Sequence, residues 1–561
     1  EAAGTEETEG RESAGDVSEE KRLSDKMSLY EQQVPTSVVT MYLTVTSGNA
    51  SDHTDHTWTE VNSYSVYDYE NMGVERYRVN GLLQAGDENG PAEGEIGYGQ
   101  TVPNAVVTIR GQSSSKAEQK NYRITLQDEK GTWRDQKVIN LNKHAGDLTR
   151  FSNKMCYDLM QELPDMMSLR TQFVHLYVKD LTEGGNGTFT DYGLYTQVEQ
   201  LNKRALKSHG LDDHGQLYKV NFFEFDRYED VILPRSDAGY DKAAFEQLLE
   251  IKGNDDHTKL IAMLADVNDT TIPIEEVLEK WFERENLFSW MAFHILMGNV
   301  DTQSRNVFLY SPENANTWYF LSWDNDGALT DTRRLVRNGE NASAGWEEGV
   351  SNYWGNRLFA RILKSAALRR ELDEKIQEYR TFLCEEKLAE LAEDYASVVK
   401  QYAFRFPDAE HMQLTQEAYD EMLALLASET ERNYQHYRES LGRPMPFFIG
   451  LPERQENGFW FSWENAYDFD AEDVRYTFEL AKDYSFEHPI AAQEGLFTPG
   501  FRYEGTLAPG QYFVRVRAEN ESGGVQYAFD YYNSVENGKQ YGVRCFYILE
   551  DGSIGEEVYE K

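Results

Sequence analysis

Cysteine is nearly absent from this sequence. Cys156, Cys384 and Cys545 are far apart and odd in number, which excludes a disulfide-stapled scaffold and a C-x-x-C metal knuckle and leaves three small apolar groups to be buried. Long apolar runs are missing too. No stretch reaches the roughly 18 apolar residues that a transmembrane helix needs, and the chain opens without the charged and apolar regions of a signal peptide. Basic residues are few, 55 Lys plus Arg against 97 Asp plus Glu, and the formal net charge of −42 opposes binding to a polyanion, so nucleic acid and anionic membranes are discounted as partners. There is no G-x-S-x-G elbow, and none of the 11 histidines forms H-E-x-x-H, which leaves nucleophile-elbow and zinc hydrolases without support.

What is present is material for several cores. The chain has 561 residues, 40% of them apolar and 13% aromatic, enough for two to four domains. Residues 1–27 hold almost no large apolar side chain and many Glu, Gly and Ser. They cannot repay the entropy of ordering and are expected to form a flexible acidic tether. Tethers of this kind often follow a signal or lipid-anchor site in exported bacterial proteins, so a lipid or cell-wall anchor upstream and an extracellular or cell-surface location are the expectation.

Residues 35–46 and 105–126, rich in Val, Thr, Ile and Tyr, read as strands, with a polar hairpin region between them at 47–104. Phe151, Met155, Leu159 and Leu163 recur every four residues ahead of Pro164 and predict a helix over 149–163. Strands at 172–180 and 192–200 follow, so residues 28–225 read as a sheet lobe with one inserted helix. Apolar helical patterns at 275–298 and 356–440 predict a helical lobe over 226–441. After the Pro-containing joint GRPMPFFIGLPE the pattern changes to period two, as in GFWFSWENA and GQYFVRVRAEN, and predicts a β-sandwich of roughly 110 residues within 442–561.

The stretch GNVDTQSRNVFLYSPENANTWYFLSWDNDGALTD carries the chemistry. Its acids sit beside residues that belong in a core. Asp301 and Asn306 show the D-x-x-x-x-N interval of a protein-kinase catalytic loop, and Asp324 follows after a strand pair, where those enzymes place their metal-binding Asp. Phosphoryl transfer uses each type: one Asp to orient the attacking hydroxyl and accept its proton, and amide and carboxylate oxygens to hold Mg²⁺, a hard ion. Asp301 and Asn306 could instead cap a helix or shape a turn. The Asp324-Asn325-Asp326-Gly327 run also starts like a calcium loop, but ligands for its later positions are missing.

The blocks VTIRGQSSSKAEQKNYRITL, LNKHAGDLTRFSNKMCYDLMQEL, YGLYTQVEQLNKRALK, GQLYKV, MGNVDTQSRNVFLY and WYFLSWDNDGAL together resemble the CotH family of secreted and spore-coat atypical protein kinases, over about residues 100–335. The resemblance implies an α+β, bilobal protein-kinase-like fold with a β-rich N-lobe and a helical C-lobe. It further implies binding of ATP with Mg²⁺ or Mn²⁺, and transfer of phosphate to Ser or Thr hydroxyls of a protein substrate. Carried over, Asp301 is the catalytic acid, Asn306 and Asp324 are metal ligands, and Asp326 is a second-metal or supporting group. The turn Arg110 to Ser115, with Ser113 and Ser114, would cradle phosphate. Lys120 or Arg123, with Lys219 as a rival, would supply the cation for the nucleotide phosphates. Glu199, at a strand end, marks a nucleotide hinge or else pairs with Lys203 or Arg204.

The C-terminal domain resembles a fibronectin type III module through FWFSWENAYDFDAEDVRYTFELA and LAPGQYFVRVRAENESG. Leu507 and Tyr512 would form its tyrosine corner, with a spacing one residue shorter than the commonest form. Such modules are usually spacers or interaction surfaces. A non-catalytic cell-surface scaffold or adhesin, binding protein or polysaccharide, is the alternative for the whole chain.

Overall fold

The computed structural model describes residues 22–338 and 345–556. Seven strands of the N-terminal lobe close on themselves. They are β1 (Val38–Thr46), β2 (Val79–Asp87), β3 (Ala105–Arg110), β4 (Asn121–Leu126), β5 (Val138–Asn142), β6 (Thr171–Asp180) and β7 (Phe189–Glu199). Around the barrel the order is β1-β6-β7-β5-β4-β3-β2, and β2 returns to β1. Only the β1–β6 pair is parallel within this ring. Alternation aims Met41, Leu43 and Val45 of β1, Leu83 and Ala85 of β2, Val107 and Ile109 of β3 and Ile124 of β4 into one interior core. The region 47–104, expected to be a hairpin, instead holds two short capped helices and β2. Its Gly81 and Gly86 hid β2, yet a Cβ at Gly81 would meet Val107 at 2.7 Å, so glycine is what lets the barrel close there.

The last residues of the expected tether, 22–27, are ordered. Residues 1–21 lie outside the described residues, whereas Leu23 is buried, Arg22 pairs with Asp165 and Asp25 pairs with His209. One apolar residue and two charges with buried partners suffice to order this stretch.

Helix α1 (Ser152–Met160) is the inserted helix, buried along its whole length. A second sheet, β8 (Gln216–Val220), β9 (Leu249–Ile251), β10 (Val307–Ser311) and β11 (Tyr319–Ser322), runs in the order β9-β8-β10-β11. The helical stretch expected over 275–298 is two helices, Ile274–Trp281 and α2 (Arg284–Leu296). The break falls where the Glu283 carboxylate caps Glu285 and Asn286 and its backbone N–H donates to Trp318. Barrel residues Phe173, Leu194 and Val198, helix α1, the second sheet and the helical lobe share one large core.

Beyond residue 441 the chain is all β. A three-stranded sheet and a larger sheet built on Arg475–Ala481, Gly510–Glu519 and Val543–Ile548 enclose Phe461, Trp463, Phe478, Val514 and Phe546. Tyr512 Oη donates to the Ala508 carbonyl at 2.8 Å, so the tyrosine corner forms despite its shorter spacing. The architecture is thus a bilobal kinase-like α+β fold followed by an all-β module. No helix among the described residues is long and apolar enough to cross a membrane. Cys156 and Cys545 are buried, while Cys384 is only half-buried, at the N-cap of helix Glu385–Ala403.

Candidate functional site

The β10–β11 hairpin sets the site. Its antiparallel register pairs Val307 with Ser322, so the residues before β10 and those after β11 must emerge at the same end. Asn306 and Trp323 are tied there, the Trp323 N–H donating to the Asn306 carbonyl at 3.1 Å. Asn306 and Asp324 both adopt left-handed backbone, φ 57° and 52°, a conformation Asn and Asp tolerate better than other residues with a Cβ. Gly327 closes the gap between the loops: a Cβ on it would lie 2.7 Å from Asn299 Oδ1 and 3.0 Å from the Asp301 Cβ.

Buried neighbours hold both loops. Helix α1 supplies Asn153, whose Oδ1 accepts from the Asn325 N–H at 2.9 Å, and Tyr157, whose hydroxyl accepts from the Asp324 N–H at 3.2 Å. Asn299 accepts from the Asp301 N–H at 3.4 Å and donates to Asn325 Oδ1 at 3.4 Å. Arg333 donates to the carbonyls of Asp326 and Gly327 at 3.0 and 2.7 Å.

The acids of these two loops are crowded. Burial and the neighbouring Asp326 push Asp324 up to about 6, against the pull of Arg110, His144 and Lys219. Asp326 is also pushed up to about 6, by burial and then Asp147, with Asp301 adding to it and Arg333 and Arg110 opposing. Its side chain is nevertheless 44% exposed, packed among protein atoms yet open to solvent on one side. Asp301 Oδ1 accepts from Arg305 Nε at 3.1 Å and from its Nη2, while Oδ2 faces the Asn306 amide at 3.5 Å. The carboxylates of Asp301, Asp324 and Asp326 do not all lie within 4.8 Å of one another; among the described residues only Asp212, Asp213 and His214 meet that condition.

The barrel and the second sheet present cations to these acids. Arg110 ends β3 with its guanidinium on Asn142 and feels Asp324 and Asp326. Lys219 of β8, opposite Glu250, is held below its ordinary value by burial and sits in the field of Glu250 and Asp324. Arg123 lies farther along the barrel wall, in the field of Arg76 and Glu250.

Three expectations change. Lys120 is buried with its ammonium donating to the Ser115 carbonyl at 2.7 Å, so it staples the turn and turns away from the acids. Ser113 and Ser114 are exposed in a 3₁₀ turn whose N–H groups partly bond within it, Ser115 to Gln112 and Ala117 to Ser114; Ser114 Oγ accepts from Asn121. The Glu199 carboxylate is buried and fully engaged, by Arg170 through Nε and Nη2 at 3.1 and 2.6 Å and by His209 Nε2 at 3.0 Å. Neither Lys203 nor Arg204 pairs with it; Arg204 pairs with Asp135.

Several contributors escaped sequence reading. His144 has a left-handed backbone, is buried, and holds Nδ1 4.0 Å from Asp326 Oδ2. Asn153 and Tyr157 carry no local signal, because their roles come from contacts across the fold, whereas Asn299 caps the turn that bears Asp301. The Asp147 side chain caps the entry to α1, accepting from the N–H groups of Thr149 and Ser152, and its D-x-T-x-x-S spacing was a usable cue.

Among solved structures, the proinflammatory kinase CtkA of Helicobacter pylori is 10% identical with a TM-score of 0.27, covering 57% of this chain and 94% of that one. A chain of the Shewanella oneidensis MR-1 toxin–antitoxin system HipA, HipB and operator DNA complex is also 10% identical, with a TM-score of 0.21, covering 54% of this chain and 58% of that one. Likenesses this slight bear no argument. No curated protein matches the chain. The family described as "CotH kinase protein" matches residues 107–437, well over half of the 561 residues, and the chain belongs to the CotH kinase family.

Proposed function

We propose that the protein is a kinase that transfers the γ-phosphoryl group of ATP to a Ser or Thr hydroxyl of an extracellular or coat protein. The observation that carries this reading is the hairpin end, which brings the loop of Asp301 and Asn306 beside that of Asp324 and Asp326, with Arg110 and Lys219 in the field of Asp324.

The residues suit a divalent ion. No hydrogen bond reaches the Asp324 carboxylate among the described residues, both Asp324 and Asp326 are pushed up by burial and nearby acids, and carboxylate and amide oxygens are the donors that Mg²⁺ or Mn²⁺ prefer. Since the three carboxylates do not converge on one point, we assign the ion to Asn306 and Asp324, with Asp326 supporting. When bound, the ion neutralises charge on the phosphates. Arg110 and Lys219 attract the remaining phosphate oxygens, with Arg123 farther out. The Oδ2 of Asp301 orients the acceptor hydroxyl and takes its proton as the new O–P bond forms and the bond to ADP breaks. Catalysis of this kind is positioning and charge neutralisation.

The Arg305–Asp301 pair favours a second reading, a cell-surface scaffold in which the acids only maintain structure. Nucleotide binding separates the two. On the kinase reading, ATP with Mg²⁺ or Mn²⁺ raises the melting temperature and Asp324→Ala abolishes the rise; if neither metal nor nucleotide moves it, the scaffold stands. Labelled-phosphate transfer with Asp301→Ala as control then tests turnover.

A further inference from the structure

The β-sandwich has no part in the reading above, yet it grips the chain just beyond the acidic loop. Helix Thr330–Asn338 follows that loop, and its Arg333 holds the Asp326 and Gly327 carbonyls, so the position of this helix sets the position of the loop. The next residue, Arg334, donates to Glu347 Oε2 at 2.7 Å. Tyr541 of the sandwich donates to the same oxygen at 2.7 Å, and Lys539 donates to Oε1 at 3.1 Å. Glu347 is only 14% exposed, so the shared carboxylate is shielded and its charge-assisted bonds are stronger than at an open surface. Beside it, Trp346 is buried against Phe529 and Tyr541, with ring centroids 5.1 and 6.1 Å away, and Lys539 lies over its indole.

A spacer module would leave through an exposed linker. Here the joint is buried: Met445 belongs to the core of the helical lobe, Phe447 and Ile449 to that of the sandwich. We infer that the sandwich is a positioning part of the phosphoryl-transfer unit. Lys539 and Tyr541 fix Glu347, Glu347 fixes Arg334, and the helix bearing Arg334 and Arg333 orients Asp324 and Asp326. This inference rests on the kinase reading for its purpose, but the mechanical link does not.

The test uses the full chain carrying Lys539→Ala with Tyr541→Phe, compared with the conservative Lys539→Arg. Both positions are at the surface of the sandwich, and correct folding is checked by unchanged amide exchange in β10. Exchange across residues 324–337 is expected to quicken about fivefold in the double variant, kcat to fall about fivefold at unchanged acceptor KM, and Lys539→Arg to behave as wild type. Unchanged exchange over 324–337 in the double variant overturns the link. Quickened exchange with unaltered kcat in an active enzyme overturns the positioning role. If wild type neither binds nor uses ATP, the kinase reading and the purpose inferred for the link fall together, while the exchange result still decides whether the link exists.

Discussion

The hairpin end and the end of β7 each hold a carboxylate that the sequence offers to the nucleotide site, and the two are opposite in character. Asp324 has cations in its field but none bonded to it, and burial with Asp326 beside it pushes it up to about 6. Glu199 is more enclosed, yet His209 and Arg170 hold it down at about 2 despite burial, and Asp25 bonds the far side of the same imidazole at 2.6 Å. A carboxylate whose partners are all supplied by the fold is structural. One left short of partners stores unfavourable electrostatics that a bound cation relieves, and perturbed groups of the second kind gather at functional sites.

Breaking the saturated cluster has the largest expected effect. Glu199→Ala strands Arg170 and His209 and is expected to cost roughly 3–5 kcal/mol in urea unfolding, whereas the same change at a nucleotide hinge on the surface would cost little. Next, Asp324→Asn removes a half-buried charge without removing volume; we expect the free protein to gain about 1 kcal/mol at pH 7.5 while losing the metal-dependent melting shift. A destabilised Asp324→Asn with the shift intact would erase the contrast between the two acids.

The pH dependence sharpens it. Asp324 and Asp326 have folded values near 6 against an ordinary 3.8, so the folded state holds extra protons between about pH 4 and 6 and their contribution to stability falls as pH rises through that window. The melting rise given by Mg²⁺ or Mn²⁺ is accordingly expected to fade as pH drops from 7 to 5, where protons compete for the same oxygens. At Glu199 the signs differ. Glu199, lowered from 4.5, contributes stability that is present above pH 4.5 and lost as pH falls through about 2. His209, raised from 6.5 to about 9, contributes stability that is full below pH 6.5 and lost as pH rises through 9. The Arg170–Glu199–His209 cluster should therefore be strongest between about pH 4.5 and 6.5, and Glu199→Ala should flatten that part of the profile. The smallest effect is at Lys120: Lys120→Met should cost about 1 kcal/mol through the lost bond to Ser115 and leave the nucleotide-induced shift unchanged, whereas Arg110→Ala should reduce that shift.

Legibility followed sequence distance. The strands at 172–180 and 192–200, the inserted helix and the sandwich pattern could be read because periodicity and turn residues are local. The strand β2 could not, since its glycines look like loop and acquire meaning only when the barrel closes against Val107. Lys120 and Arg110 flank the same turn, one read as a cation for the nucleotide phosphates and the other as the start of a phosphate cradle. Their directions depend on Ser115 capturing one ammonium and on the second sheet bringing Asp324 toward the other.

What the sequence by itself determined is the spacing of Asp301, Asn306 and Asp324 around one short hairpin, because antiparallel register fixes which ends meet. Which buried acids would be satisfied and which left short was decided only by the tertiary structure. Glu199 takes its partners from residues 170 and 209, and Asp324, crowded by its near neighbour Asp326, takes its nearby cations from the barrel and from the second sheet. Hydrogen bonding and burial at that range depend on where whole elements pack, and no local pattern encodes it.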